Sequence, residues 1–239
     1  MWEPCIERKV LSMYDVIKRY DSVSDELIQA FAKTSESASV NECLPRNGAL
    51  THDFRPVWPG TRAVGRAFTV EARPGDNLIL QKALTMLKPL DFVIVPCDGF
   101  QEAGGMWGGI MSNAAQVQGA VGLVMDGCVR DTMMMQRIGF PVWSRGISVK
   151  RSTKKTPGLI NHPIMIGGVR VNPGDLVVAD NDAVVVVPWQ LAGEVLKKVE
   201  EREKSEAETL RHVREDGSYL FARYGFDKAY AALGLTEEP

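Results

Sequence analysis

Two short runs of apolar residues constrain the fold of this chain more than any other feature of its sequence. The first is DFVIVPCDG, at positions 91–99, and the second is VGLVMDG, at positions 121–127. Each run is almost continuously apolar, which is typical of a β-strand that is covered on both faces. A segment with helical character, IMSNAAQVQGA, lies between them. This alternation predicts an α/β fold.

The flanking segments extend the pattern of helices and strands. Residues 9–34 have apolar side chains at helical spacing, and Ser24 followed by two acidic residues is a typical helix start. PGDNL, at 74–78, opens a helix that is predicted to reach about Leu87. The other expected elements are strands in AVGRAFTVEAR and PVWSRG, a short helix in DTMMMQRIG, three short strands in IMIGGVRVNPGDLVVADNDAVVVVP, and a long charged helix from Trp189 to about Glu215.

The composition is that of an ordinary soluble globular protein. The chain has 239 residues, is 45% hydrophobic and carries a formal net charge of -2, which argues against a nucleic-acid-binding surface. It contains no apolar run of membrane-spanning length, and its four cysteines are widely spaced, so a cytoplasmic protein is expected. We predict a single domain over 1–239, with a core at about 22–188 and a C-terminal helical extension at about 189–239. The aromatic tail after Gly217 is expected to pack on the body or on a neighbouring subunit.

A glycine-rich segment, AGGMWGGIMSNAA, is the first candidate for chemistry. Its glycines lie between a predicted buried strand and a predicted helix, where backbone N–H groups can approach an anion at the helix N-terminus. The spacing matches neither the dinucleotide-binding pattern nor a Walker loop, so a nucleotide site is not indicated. The alternative is a tight turn that serves packing only.

The second candidate is the end of the strand in VGLVMDGCVRDTMMMQRIG. Arg130 and Asp131 follow this strand directly, and ligands of open α/β sheets collect at the carboxyl ends of strands. The alternative is structural, because Asp131 can cap the following helix and Arg130 can be its surface partner. Asp126 is assigned a structural role beside a predicted turn at Gly127.

Taken together, the two candidates suit a small dicarboxylate or 2-oxo acid bound with a divalent cation. No set of histidines or cysteines has the spacing of a zinc site, so the expected metal is Mg²⁺ or Mn²⁺, which prefer oxygen ligands. None of the three histidines pairs with a serine or cysteine in a recognisable nucleophile motif, and Ser–His–Asp hydrolysis is unsupported.

Three motifs carry a resemblance to a known family, in this order along the chain: PGDNL, GGMWGGIMSNAAQVQGAVGLVMDGCVRDTMMMQRIGFPVWSRG and GGVRVNPGDLVVADNDAVVVVP. With these motifs the chain resembles the family of the regulator of ribonuclease activity A. That family includes metal-dependent aldolases for 4-hydroxy-4-methyl-2-oxoglutarate and 4-carboxy-4-hydroxy-2-oxoadipate. The resemblance implies an α-β-β-α sandwich of the swivelling-domain type. It also implies a homo-oligomer, a trimer or a dimer of trimers, with sites between subunits.

The resemblance also implies roles for particular residues. Asp131 would be the direct metal ligand, and Arg130 would hydrogen-bond the 2-oxo oxygen and stabilise the enolate. The backbone amides at the start of the helix would bind the pyruvyl carboxylate, and they belong to Gly108, Gly109, Ile110 and Met111.

Three glutamates complete the set that the resemblance implies. Glu42, in SVNECL, matches a family Val-x-Glu and is a candidate acid that acts near the metal without binding it directly. A glutamate of the C-terminal helix would reach the metal waters of the neighbouring subunit, with Glu206 as the first choice and Glu203 as the second.

One position departs from the aldolase pattern. The aldolases carry an acidic residue where this chain has Gly109, whereas members of the regulator type have glycine there. This difference favours oxaloacetate decarboxylation over aldol cleavage, unless Asp98 or Glu102 supplies the acid. The expected function is a Mg²⁺- or Mn²⁺-dependent lyase that yields pyruvate from a small 2-oxo acid by either reaction. The alternative is a non-catalytic regulator that binds a ribonuclease or another protein partner.

Overall fold

The computed structural model describes residues 15–18, 20–34, 36–97 and 104–235. The strands in these ranges are β1 Asp15–Val16, β2 Arg55–Pro56, β3 Ala63–Glu71, β4 Asp91–Val95, β5 Gly105–Trp107, β6 Gly122–Val129, β7 Val142–Ile147, β8 Leu159–Ile160, β9 Ile164–Ile166, β10 Val169–Val171, β11 Leu176–Ala179 and β12 Val184–Val187. The helices are α1 Asp25–Thr34, α2 Ser37–Glu42, α3 Leu78–Leu84, α4 Gly109–Val117, α5 Thr132–Ile138, α6 Ala192–Glu215, α7 Tyr219–Arg223 and α8 Phe226–Ala232.

A parallel arrangement of β3, β4, β6 and β7 forms the centre of the molecule. Every residue of β4 and β6 is buried, which confirms the strands predicted from the two apolar runs. The strands β4 and β6 are adjacent, with Ile94 opposite Val124. Because parallel neighbours end at the same edge, the residues that follow β6 lie at the carboxyl edge of this sheet.

Helices α3, α4 and α5 cover one face of the parallel strands. Leu80, Ala115 and Met135, one from each helix, belong to a single buried cluster with side chains of the sheet. On the opposite face, β11 pairs antiparallel with the first half of β3 and continues into β12. Strands β9–β12 pack their apolar side chains against β4 and β6 and so form a second β layer.

A second helical layer covers the outer side of these later strands. Phe31 of α1, Val40 of α2 and Val195 of α6 lie in one buried cluster with Val178 and Val185 of the β11–β12 hairpin. Burial of a side chain of this size contributes roughly 2 kcal/mol to the free energy of unfolding. The order helices, sheet, sheet, helices confirms the predicted α-β-β-α sandwich.

The N-terminal helix prediction is wrong over its described first part. Residues 15–16 form β1, which pairs parallel with β8, and the helix begins only at Asp25. Pairing with a distant strand decides the structure of this segment against its local periodicity. The predicted start is confirmed, since the Ser24 hydroxyl accepts a hydrogen bond from the Leu27 N–H at 3.3 Å. Residues before 15 lie outside the described ranges.

Three further boundaries differ from the sequence predictions. The segment 164–187 contains four strands instead of three, because Gly167 and Gly168 turn the chain with positive φ angles of 52° and 77°. The helix after PGDNL ends at Leu84. No turn occurs at Gly127, because β6 continues to Val129 through an irregularity in its pairing with β7.

The C-terminal extension begins with the predicted charged helix. A 3-10 turn at Trp189–Leu191 leads into α6, which packs on α1 and α2. The tail forms α7 and α8, neither of which contains a buried residue, so its aromatic side chains remain largely exposed. Within the described part of the chain, no helix combines the length and the apolar character that crossing a membrane requires.

Candidate active site at the end of strand β6

Arg130 and Asp131 occupy the turn between β6 and α5. The Arg130 N–H donates a hydrogen bond to the Trp107 carbonyl at 2.9 Å, which holds the turn against β5. Asp131 adopts a left-handed backbone conformation, with φ 59° and ψ 38°. For a residue other than glycine this conformation costs about 1 kcal/mol or more, and it persists where the surrounding structure imposes it. The fold therefore fixes the Asp131 backbone at the edge of the sheet.

The N-terminus of α4 faces the same turn. The Gly109 N–H donates to Asp131 Oδ2 at 3.1 Å, and Arg130 Nε lies 3.8 Å from the same oxygen. A Cβ atom on Gly108 would lie 2.6 Å from Asp131 Oδ2, so only glycine allows this approach. The first turn of a helix leaves its N–H groups without partners inside the helix, and the amides of Ile110 and Met111 are available to an anion. The structure thus brings together the residues predicted for the head of the substrate and the predicted direct metal ligand, Asp131.

A cavity of about 200 Å³ opens beside this cluster. Its polar side chains are Asn77, Gln81, Arg130, Asp131 and Lys154. Asn77 is 6% exposed, and its amide nitrogen donates to the Met106 carbonyl at 2.9 Å. Its side-chain oxygen is buried without a hydrogen-bond partner, which is costly unless a ligand or water donates to it.

Sequence reasoning missed Asn77, Gln81 and Lys154 as cavity residues. The signal for Asn77 was the PGDNL motif, which served only to predict the start of the helix that carries Gln81. Lys154 belongs to a short basic run, which consists of Lys150, Arg151, Lys154 and Lys155. The position of this run in the fold depends on contacts with residues far away in the chain.

The predicted acids lie in the other helical layer. Arg202 of α6 forms ion pairs with Glu42 at 2.5 Å and with Glu206 at 2.7 Å, so the structure brings these two glutamates together. Glu203 lies on the same helix, and burial, followed by the nearby charge of Glu206, raises its pKa. Helices α2 and α6 pack on the β11–β12 side, whereas Arg130 and Asp131 adjoin α4 and α5 on the opposite side. Within one chain, the glutamates therefore do not line the cavity.

Met134 occupies the space beside Gly109. A Cβ atom built at position 109 would lie 2.3 Å from Met134 Sδ and 3.0 Å from Met134 Cβ. The absence of an acid at this position is thus coupled to the packing of α5 on α4. Asp98 and Glu102, the sequence-based substitutes for that acid, lie outside the described residues.

Asp126 has a structural environment on β6. Its buried carboxylate accepts a hydrogen bond from Arg145 Nη1 at 2.9 Å, and Arg145 Nε lies 2.6 Å from Asp53. The hydrogen bond to Asp126, in the first place, raises the pKa of Arg145. Asp126 therefore belongs to an ion-pair cluster away from the cavity, and it is not beside a turn.

The donor set at the cavity suits a hard cation. Among the residues that the structure describes, no three His, Cys, Asp or Glu side chains converge as metal ligands. One half-exposed carboxylate, that of Asp131, remains, and Mg²⁺ commonly binds through one or two carboxylates while it keeps several waters. The residues present thus fit Mg²⁺ or Mn²⁺ and do not fit a structural zinc site.

Comparisons with known proteins show the family of the chain. The RraA-like (Aldolase/RraA) family profile matches residues 22–186. A relative from Halalkalibacterium halodurans, provisionally named a 4-hydroxy-4-methyl-2-oxoglutarate aldolase, is 30% identical over 77% of this chain and 87% of its own. The 4-hydroxy-4-methyl-2-oxoglutarate aldolase of Thermus thermophilus is 25% identical over 66% of this chain and 96% of its own.

The solved structures show the same likeness. RraAS2 from Streptomyces coelicolor, described as an unusual member of the RNase ES inhibitor RraA family, superimposes with a TM-score of 0.71 and 26% identity. The match covers 80% of this chain and 98% of that one. The resemblance predicted from the sequence motifs is confirmed, and the chain belongs to the RraA-like family.

Proposed function

We propose that this protein is a divalent-metal-dependent lyase that releases pyruvate from a 2-oxo dicarboxylic acid. The observation that carries the proposal is the convergence of Arg130, Asp131 and the N-terminus of α4 on one cavity. A cation, a carboxylate and free amides at one place match the head of a 2-oxo acid bound beside a metal ion. The aldolase names of the relatives support the same reaction class.

The metal would be Mg²⁺ or Mn²⁺, and Asp131 would hold it. When bound, the ion would act as a Lewis acid on the 2-oxo carboxylate head. The protein's contribution is to place the Asp131 carboxylate, which Gly108 leaves accessible and the left-handed backbone fixes.

The remaining groups of the site would orient the substrate and stabilise charge. The amides of Ile110 and Met111 would bind the carboxylate next to the oxo group, as helix N-termini bind anions. The Arg130 guanidinium, 38% exposed, would donate to the oxo oxygen and stabilise the negative charge that develops there. Removal of one such preorganised donor typically costs about 10²–10³-fold in rate.

Oxaloacetate decarboxylation is the reaction that one chain can complete with these groups. The C3–C4 bond breaks, C4 leaves as carbon dioxide, and the electron pair remains on the pyruvate fragment as an enolate. A proton from water then returns to C3. No base is needed for a hydroxyl group, so Gly109 is compatible with this reaction.

Aldol cleavage of a 4-hydroxy-2-oxo dicarboxylic acid needs a base for the C4 hydroxyl proton. Glu42 or Glu206 would take this role only from a neighbouring copy of the chain, because both lie in the other helical layer. We therefore propose a homo-oligomer, a trimer or a dimer of trimers, for the aldolase reaction. Glu203, also on α6, is the second candidate after Glu206 for the glutamate that a neighbouring subunit would supply.

The test is a pyruvate-release assay with oxaloacetate and with 4-hydroxy-4-methyl-2-oxoglutarate, each with and without Mg²⁺. After subtraction of an enzyme-free blank at the same metal concentration, which is needed because free Mg²⁺ itself decarboxylates oxaloacetate, wild type should release pyruvate only with metal. Asp131→Asn should lose at least about 10²-fold in rate. Asp227→Asn, a change on the exposed helix α8, is the control and should be unchanged.

A non-catalytic regulator is the alternative function, and the likeness to RraAS2 supports it. It predicts no metal-dependent pyruvate above the enzyme-free blank from either substrate. That result, in protein that remains folded, would refute the lyase proposal.

A further inference from the structure

The short basic run of the sequence lies beside the cavity. The Gly105 N–H donates to the Lys150 carbonyl at 3.0 Å, and the Ser152 hydroxyl donates to the Gly105 carbonyl at 3.0 Å. These bonds place residues 150–152 against β5, whose end forms part of the cavity wall. The next residues reach the start of α3, and Lys154 lines the cavity there.

A buried carboxylate holds this segment on both sides of Lys154. Asp76, which is 3% exposed, accepts hydrogen bonds from the Thr153 hydroxyl and the Lys155 N–H, both at 2.6 Å. The Thr153 carbonyl accepts a further bond from the Asn77 N–H at 3.0 Å. Burial alone would raise the pKa of Asp76. The hydrogen bonds that its carboxylate accepts, from the Thr153 hydroxyl and from the Leu78 and Lys155 N–H groups, lower this pKa below its usual value. The backbone that carries Lys154 is therefore fixed at both neighbours.

The Lys154 ammonium has no ion-pair partner among the described residues. Its side chain is exposed and lines the same cavity as Arg130 and Asp131. The head of a 2-oxo acid would engage Arg130, the metal on Asp131 and the amides of α4, and it would leave Lys154 unused. A pocket with two cationic side chains and one carboxylate is suited to a substrate with two negative charges.

We propose that Lys154 binds the second carboxylate of the substrate, the one remote from the 2-oxo group, and so makes the site selective for 2-oxo dicarboxylic acids over 2-oxo monocarboxylic acids. The proposal rests on the proposed function and deepens it. Asp76 is the positioning residue, since it sets the place of Lys154 without touching the substrate.

The first test is the steady-state kinetics of oxaloacetate decarboxylation. Lys154→Met keeps most of the length of the side chain and removes its charge, and it should raise KM about tenfold, the low end for a hydrogen bond to a charged group. The value of kcat should not fall, because the remote carboxylate loses its charge as it leaves as carbon dioxide, so the contact stabilises the bound substrate more than the transition state. Lys154→Arg should restore most of the KM.

Lys155→Met is the matched control. This neighbour is also an exposed lysine, but only its backbone N–H is used, and its side chain does not line the cavity. The KM of the Lys155→Met variant should stay within about twofold of the wild-type value, well below the change expected for loss of a charged contact. Equal effects of the two substitutions, a fall in kcat at constant KM for Lys154→Met, or no recovery in Lys154→Arg would each overturn the proposal.

A binding experiment separates this proposal from the proposed catalysis. L-Malate and lactate share a 2-hydroxy acid head, and only L-malate has the remote carboxylate. In the presence of MgCl₂, NMR titration should show that wild type prefers L-malate and that Lys154→Met abolishes the preference without weakening lactate binding. This result would support the role of Lys154 even if no substrate were turned over. Equal affinities for the two ligands in wild type would refute it, even in an active lyase.

Discussion

Substitution of Gly109 by aspartate tests how the structure limits the chemistry of the site. The change installs the acid that the resemblance to the aldolases leads one to expect at this position. In this chain the position is not empty space, because an added Cβ atom would lie 2.3 Å from Met134 Sδ and 2.9 Å from Met134 Cγ. The acid therefore requires Met134 to move. We expect Gly109→Asp alone to destabilise the protein and to gain little aldolase activity.

The expected loss has two parts. Overpacking of this kind costs typically about 1–3 kcal/mol, and we take about 2 kcal/mol because Met134 is 37% exposed and has room to swing out. The new carboxylate also lies beside Asp131, whose Oδ2 is 3.1 Å from the Gly109 nitrogen, and repulsion screened as in water, since the Asp131 side chain is half exposed, adds about 1 kcal/mol. A total of about 3 kcal/mol corresponds to a fall in Tm of roughly 6–12 °C for a chain of this size.

The assay is a double-mutant cycle with Met134→Ala, followed by urea and thermal unfolding. Removal of the Met134 side chain should relieve the steric part, so the two substitutions should couple by about 2 kcal/mol. Mg²⁺ should relieve the repulsion in the double variant. Pyruvate release from 4-hydroxy-4-methyl-2-oxoglutarate should rise in the double variant and not in Gly109→Asp alone. Additive free energies, with no coupling between the two positions, would refute the packing argument.

Three other predictions follow from the same structure. Arg145→Met should destabilise the fold by about 2 kcal/mol in urea unfolding, because it leaves the Asp126 carboxylate buried without its partner; no loss would show that the ion pair is dispensable. Burial raises the pKa of Asp91 to about 6, above its value in the unfolded chain, so its contribution to stability is greatest below about pH 4 and is lost as the pH rises through 6. Between pH 4 and 6, the free energy of unfolding should therefore fall less in Asp91→Asn than in wild type. Truncation after Asp216 should leave Tm within about 2 °C, since α7 and α8 bury no residue; sedimentation would then show whether the tail joins subunits.

Local sequence patterns sufficed where one stretch of chain decides its own structure. The runs that became β4 and β6 are apolar at nearly every position, and only a strand covered on both faces buries them completely. The placement of Arg130 and Asp131 followed, because residues after such strands share one edge of the sheet. The left-handed conformation of Asp131 lay beyond this reasoning, since it depends on the packing of β5 and α4 around the turn.

Contacts between distant residues explain what the sequence did not predict. The β1 segment has helical periodicity, but its neighbour in the sheet, β8, lies more than a hundred residues away. Thr153 and Asp76 are separated by 77 positions, and their hydrogen bond is what brings Lys154 to the cavity. The hydrogen bond between Thr153 and Asp76 leaves no periodic signal in the chain, because a single hydrogen bond constrains only two residues.

Gly109 and Lys154 act on the cavity in the same electrostatic direction. The charged side chains of its lining are Arg130, Lys154 and Asp131, which leaves a net positive charge of one before a metal ion binds. An acid at position 109 would cancel that charge, and a neutral residue at 154 would cancel it as well. Both substitutions should therefore weaken the binding of a dianionic substrate, although only the first supplies a group for aldol chemistry. Lys154 accordingly favours a substrate with two carboxylates, and Gly109 favours a reaction that needs no side-chain base.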